Sequence, residues 1–445
     1  MTKILGSVTA LLLSVSLMML GHGMQTTLIP LRADVEQISD TAIGIISSMF
    51  YVGFLVGGVL GPQLIVRAGH IRAFAALVSL GSAAALLHPL VIDAWVWGFA
   101  RFITGFCISA MYLIIESWLN DKADNKTRGL VMSTYTIVVF LAVMLGQVAM
   151  TWLDVVGFQA FVIASILLSI AAIPVALTKS AQPAPIAVVR LRPFVLYKRS
   201  PAAIVACTFA GMSIGALFSL IPLYSTRIGL DPNFIPLSAG ALMFGGLLLQ
   251  YPLGRLSDFI DRRYVLMLGC IAAIAVCIFA SLFPTANPLT VIIIVTLLGG
   301  LTQPLYAIAA AHAFDYTEQA DMVETAAGVV LAYGLGSIFG PTIASLAMTS
   351  VGPQGLFAVV SASLALLAVF LFYRVLRREG MSIEDKSDYD YASSAPVGGI
   401  MGPELYEEGE DDYVLVPEEY VSTDQDEDTT AETPFNDEED DEGTP

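Results

Sequence analysis

At 445 residues, 56% hydrophobic and only 13% charged, the chain is too apolar for an ordinary soluble domain. Its net charge of −18 is concentrated: positions 379–445 hold 24 of the 39 acidic residues and one base, Lys386, leaving 15 acidic against 20 basic residues before them. Those bases are scattered over short segments, which argues against a nucleic-acid partner, and no G-x-x-x-x-G-K-[ST] is present to hydrolyse nucleotide through a P-loop.

Crossing about 30 Å of hydrocarbon takes roughly 20 apolar residues, and the chain before the acidic tail divides into twelve such runs. The first, Ile4–Ile29, is too long for a signal peptide and lacks a small-residue cleavage site near Gly21 to Met24. Helices two to six are predicted at Thr41–Leu64, Ala73–Ile92, Trp95–Leu119, Gly129–Trp152 and Val156–Leu177. Helices seven to twelve follow at Ala202–Tyr224, Ser238–Leu253, Tyr264–Phe283, Thr290–Ala313, Thr325–Thr349 and Leu356–Arg374. The expected organisation is a six-helix bundle over 1–177, a basic linker over 178–201, a second six-helix bundle over 202–378, and an acidic disordered tail over 379–445. Gly105 and Gly299, and Gly146 and Gly340, are 194 positions apart, which suggests a tandem repeat. Gly61-Pro62 and Gly254-Arg255 are expected to end helices two and eight.

Of the 21 Lys and Arg residues, 18 fall on one side of this arrangement, with Arg32 and Arg227 opposite and Arg101 inside a span. The positive-inside rule makes the crowded side cytoplasmic, with both termini and the linker there. Cys107, Cys207, Cys270 and Cys277 all lie in apolar runs and suggest neither a disulfide nor a metal site. No cofactor is expected. In the tail, Tyr413 to Pro417 sits between acidic clusters; the segment is either solvated or able to add a strand to a protein partner.

The one dense charge cluster between two long apolar runs is Arg255 to Arg263, where Gly254, Asp258, Asp261, Arg262 and Arg263 have the spacing G-x-x-x-D-x-x-D-R-R. This resembles the signature that joins helices two and three, and often eight and nine, in the major facilitator superfamily of secondary transporters. Arg101-x-x-x-Gly105 and Gly336-x-x-x-Gly340-Pro341 are similar to further motifs of that family. Thr27-Leu28-Ile29-Pro30-Leu31 and Glu116-Ser117-Trp118 resemble its bacterial YcaD-like subgroup. The chain departs from the family pattern at Asp261, where Gly is usual, at Ile65, where the first-half turn normally has Asp, and at Gly146-Gln147, where antiporters have Gly-Pro.

The resemblance implies an all-α membrane protein of the major facilitator fold, with the solute site between halves near the midplane. It implies a cavity lined by helices one, four, seven and ten, and so Gln25, Arg101, Tyr112, Gln303 and Tyr306 as contacts. His22 shares a helix face with Gln25 and can titrate near neutral pH, or else is a packing residue. Arg101 either faces a cavity, binding an anionic group or tuning a proton carrier, or snorkels outward. Glu116 is expected to pair with Arg67, Arg72 or Arg128 in a cytoplasmic gate. Asp258 is expected to meet the start of helix five near Arg128 and latch that side shut, or merely to cap its turn. Gly336, Gly340 and Pro341 are expected to bend helix eleven. The reading is a non-enzymatic carrier in a bacterial inner membrane that moves a small solute by alternating access, driven by protons or by the solute's own gradient. It is expected to act as a monomer. Drug efflux and polar-metabolite transport remain open, as does a receptor or scaffold that presents the acidic tail.

Overall fold

The structure, a computed structural model, describes residues 2–123, 127–177, 197, 199–318 and 321–377. Residues 178–196 and 198 of the predicted linker over 178–201, Lys126, Arg378 and the acidic tail over 379–445 lie outside the described residues. Among the described residues there are twelve helices long and apolar enough to cross a membrane, and no strand. They are α1 (Thr2–Val35), α2 (Asp40–Ala68), α3 (His70–Leu90), α4 (Ala94–Lys122), α5 (Arg128–Ala149) and α6 (Gln159–Ala176). The second half has α7 (Pro201–Arg227), α8 (Ile235–Phe259), α9 (Arg262–Leu282), α10 (Pro288–Phe314), α11 (Met322–Val351) and α12 (Gly355–Arg377).

Local chemistry sets several of the starts. Ser39, Asp93, Asp261 and Asn287 accept from the amides of Ala42, Trp95, Arg263 and Thr290, capping α2, α4, α9 and α10. Gly69 alone separates α2 from α3, at φ 76°, a conformation that a Cβ disfavours. The expected helix ends at Gly61-Pro62 and Gly254-Arg255 are wrong. Helix α2 continues through Pro62 to Ala68, and α8 runs to Phe259, with Arg255, Ser257 and Asp258 on its last turns. Charge marks where the apolar layer ends, but Arg and Asp with satisfied partners do not stop a helix.

Within each half the same partners recur: α1 packs on α5, α2 on α4 and α3 on α6, and α7 packs on α11, α8 on α10 and α9 on α12. The glycines 194 positions apart occupy matching contacts. A Cβ on Gly105 would run into the Phe50 carbonyl oxygen, and one on Gly299 into that of Leu242. Likewise Gly146 lies against the Leu20 carbonyl and Gly340 against that of Met212. Helices in lipid associate largely through van der Waals packing, so small residues that admit a neighbour's backbone specify the pairing. Gly336, against the Thr208 carbonyl, does the same, so Gly336 and Gly340 let α11 approach α7 closely.

The halves meet along α2 and α11, α5 and α8, and α1 and α7. Their apolar cores are not equally shared. One cluster joins Leu28, Ile43, Trp97 and Phe161 of the first half to Leu217, Leu220 and Leu356 of the second. A second cluster, around Met18, Phe74, Ile114 and Tyr135, belongs to the first half, with Met243 and Phe218 reaching it from the other side.

Candidate binding site and gates

Arg101 lies seven residues into α4 and is 5% exposed. Its guanidinium does not snorkel outward: its Cζ sits 4.6 Å from the centre of the Phe50 ring, on α2. No acidic group among the described residues pairs with it, and its Nη1 has no hydrogen-bond partner. The Phe50 ring also stacks on His22 at 4.9 Å, and His22 lies 6.5 Å from Phe218 of α7. Tyr51, next along α2 and within electrostatic reach of Arg101, comes within hydrogen-bonding reach of Ser219 of α7. The Arg101 site is therefore at the seam between halves. His22 Nδ1 and Gln25 Oε1 are also buried without hydrogen-bond partners. His22 and Arg101, which share the Phe50 ring, have unused hydrogen-bonding capacity that a polar solute can satisfy, and Gln25 lies one turn from His22 on α1.

A chain of rings leads from this site toward the Asp258 end. Phe50 is 6.1 Å from Phe54, Phe54 is 6.3 Å from Tyr112, and Tyr112 is 6.4 Å from Tyr135, whose hydroxyl donates to Glu116 Oε1 at 3.0 Å. Across the seam Tyr306 packs on Tyr333 at 4.7 Å and lies within electrostatic reach of Glu116. Of the predicted contacts, His22 and Arg101 come together on the Phe50 ring, with Gln25 one turn along α1 from His22, while Tyr112 and Tyr306 lie within electrostatic reach of Glu116. The Gln303 amide donates to Met243 Sδ at 3.5 Å, and Met243 packs in the cluster that holds Tyr112 and Tyr135. Phe50, Tyr51, Phe54, Tyr135 and Tyr333 were not foreseen, because an aromatic in an apolar run reads the same whether it faces lipid or a site.

At the Asp258 end, the expected Glu116 partner Arg72 is exposed and makes no ion pair among the described residues. The Tyr135 hydroxyl donates to the Glu116 carboxylate. Asp258 is 3.4 Å from both Arg255 and Arg262. Arg262, fully buried, grips Asp315 at the end of α10 with two bonds of 2.8 and 3.2 Å and donates to Ser257 Oγ at 2.9 Å. Asp315 is a second anchor of this network that spacing did not single out. Arg263 folds back on Asp261 at 2.6 Å. Burial tends to raise the Asp261 carboxyl, but hydrogen bonds from Arg263, its charge and that of His312 outweigh this and hold it below its ordinary 3.8.

At the opposite end, Arg227 closes α7 and bridges the halves: its Nη2 lies 2.7 Å from Asp34 of α1 and 2.6 Å from Asp40 of α2. Beside it Ser48 and Thr342 share a hydrogen bond of 2.8 Å between α2 and α11, and Thr41 lies 3.5 Å from Thr349. Gly44 allows this contact, since a Cβ there would overlap Ser345 Oγ and press on the Pro341 carbonyl. The only signal for this cluster in the sequence was Arg227 itself, a base on the sparsely basic side.

Twelve membrane helices in two like halves, with a buried polar site at their seam and charged clusters at both ends, define a polytopic carrier. A family model described as Major Facilitator Superfamily matches residues 11–248 and 204–397, and the chain belongs to that superfamily. Among curated relatives, an uncharacterized MFS-type transporter of Enterobacter sp. (strain 638) is 25% identical over 378 residues, covering 82% of this chain and 95% of its own length. The uncharacterized MFS-type transporter YcaD of Escherichia fergusonii is 26% identical over 374 residues, covering 83% and 96%. Among solved structures, a mutant of the nucleoside transporter NupG superposes with a TM-score of 0.71 at 12% identity, covering 82% of this chain and 99% of that one. A bacterial homolog of the human lysosomal transporter Spinster, inward-facing and occupied, gives 0.67 at 15% identity, covering 85% and 97%. At such identities the structural likeness speaks for the fold alone.

Proposed function

We propose that this multi-pass protein is a secondary transporter of a bacterial inner membrane that carries a small anionic solute by alternating access, coupled to protons. The observation that supports this most directly is the buried Arg101 guanidinium at the seam, with no acidic partner among the described residues. A buried charge is costly unless paired, and a bound anion would supply the missing partner. His22 shares the Phe50 ring with Arg101. Two cations so close repel, and an anion between them stabilises both, so solute and proton binding would favour each other by linkage.

The bridges at the Arg227 end support reading this conformer as closed there. The Asp258 end would face the cytoplasm, since 18 of the 21 basic residues belong to that side. Asp258 would latch the cytoplasmic side by meeting the positive start of α5 near Arg128. The test is uptake into proteoliposomes under an imposed proton gradient, with separate pools of organic anions, neutral sugars and lipophilic cations. Uptake should be confined to the anion pool. It should fall by more than about tenfold in Arg101→Gln, since truncating one member of a buried charge pair costs about 2–5 kcal/mol. Transport of a neutral or cationic pool that Arg101→Gln leaves intact would overturn the reading.

A further inference from the structure

At the Asp258 end, away from the seam, a small surface pocket opens between the starts of α7 and α9 and the ends of α10 and α12. Its polar lining is Arg199, Ser200, Arg263, His312, Tyr316 and Arg374. The start of α7 forms one wall. Pro201 has no amide hydrogen to give, and the amides that follow it in the first turn have no intrahelical acceptor, so the wall carries the positive end of a 27-residue helix. Ser200 stands at the cap position, yet its side chain caps nothing. It is 3% exposed, and its Oγ has no hydrogen-bond partner. Arg199 is held by Asp321 and Arg263 by Asp261, so those two charges are locally balanced. The Arg374 guanidinium makes no ion pair among the described residues. An unused hydroxyl, a helix start and an unbalanced guanidinium facing one space are the donors that a phosphate oxygen cluster accepts from.

The sequence neighbours of the lining residues indicate where such a phosphate comes from. Tyr264 and Tyr373, next in sequence to Arg263 and Arg374, are 51% and 50% exposed, and Phe372 and Leu376 beside them are also exposed. Exposed tyrosines at the ends of apolar helices sit at headgroup depth, and the apolar residues below them meet acyl chains. We propose that this pocket binds the phosphate of an anionic phospholipid from the adjoining leaflet, at a site separate from the solute path.

The test is native mass spectrometry of the full chain in detergent, titrated with dioleoylphosphatidylglycerol, with dioleoylglycerol as the phosphate-free match and inorganic phosphate as the soluble arm. The wild-type chain should retain phosphatidylglycerol but not dioleoylglycerol. Arg374→Gln should weaken retention about tenfold, as expected for loss of a charge-assisted contact, and Ser200→Ala about threefold, as for one hydrogen bond. Both should melt like the wild type when lipid-free. Competition by millimolar inorganic phosphate would support the phosphate chemistry with a soluble source sufficing; its failure to compete would assign the source to lipid. Unchanged retention in both variants would overturn the site. So would an equal loss in Arg377→Gln, which would mark a diffuse basic surface. So too would a wild-type chain that retains no phosphatidylglycerol, the result expected if the acidic segment 379–445 filled the pocket.

Discussion

Both ends of the molecule carry ion pairs, but the pairs differ in what they join and how wet they are. At the Arg227 end the partners come from opposite halves, and the side chains of Arg227 and Asp40 are 36% and 18% exposed. At the Asp258 end Arg262 and Asp315 belong to the same half and are 0% and 1% exposed. Exposed pairs contribute little and are easily broken; buried ones are costly to separate once formed. A carrier that must part its halves and rejoin them in every cycle suits the first kind at the moving seam and the second inside each rigid half.

The comparison fails at its strongest point if Asp315→Asn is mild. That change leaves the Arg262 guanidinium buried with its closest counter-charge gone, so a loss of about 3 kcal/mol in folding stability is expected. Asp258 keeps part of the network, being 3.4 Å from Arg262. Thermal melting in detergent should show the loss, while labelling of single cysteines placed at either end should show an unchanged balance between open states among the folded molecules.

Gly44→Leu tests the seam by bulk. Its side chain would occupy the space that Ser345 and the Pro341 carbonyl take up when α2 and α11 are together. Overpacking of a close contact costs about 1–3 kcal/mol, and here the molecule can avoid that cost by staying open at the Arg227 end. Transport should drop more than about tenfold, a shift of about 1.4 kcal/mol corresponding to tenfold in the state populations. A probe cysteine near Thr349 should become more reactive. Lower melting with no change in labelling would place Gly44 among the structural glycines such as Gly105.

How much of this was legible beforehand varies with the reach of the interaction. The twelve spans were legible because length and apolarity are local properties, and the repeat because Gly105 and Gly299 answer the same packing need in each half. Helix ends were misread at Pro62 and Gly254, since hydropathy reports the bilayer boundary and α8 carries Asp258 past it. Arg101 stood out as a base inside a span, but its contact with Phe50 did not, because rings in α2 all look alike in sequence. The Arg227 bridges join positions nearly two hundred residues apart, and nothing local at Asp34 or Asp40 announces them.

Arg227→Gln separates motion from stability in the opposite sense to Asp315→Asn. Allowing for solvent screening of partly exposed groups, both bridges together contribute about 1 kcal/mol. The melting temperature should barely move, while the fraction open at the Arg227 end should rise about fivefold in the labelling assay. Raising ionic strength should mimic the substitution in the wild-type chain and have little further effect on the variant. Salt dependence of equal size in both would show that other charges hold that end.

The smallest expected effect concerns Asp261, in the turn between α8 and α9. Its carboxyl is held below 3.8 in the folded chain, so its charge stabilises the fold above that value, and the contribution is lost as pH falls through the lowered folded value. Asn at this position keeps the oxygen that caps α9 through the Arg263 amide but cannot carry the charge. Asp261→Asn should therefore melt slightly below the wild type, by an amount corresponding to about 1 kcal/mol or less, and the gap should stay constant from pH 7 down to about pH 4. It should narrow only below that. A gap that closes already between pH 6 and 5 would mean that the Arg263 and His312 charges do not act on this carboxyl, and that the turn is held by its capping hydrogen bond alone.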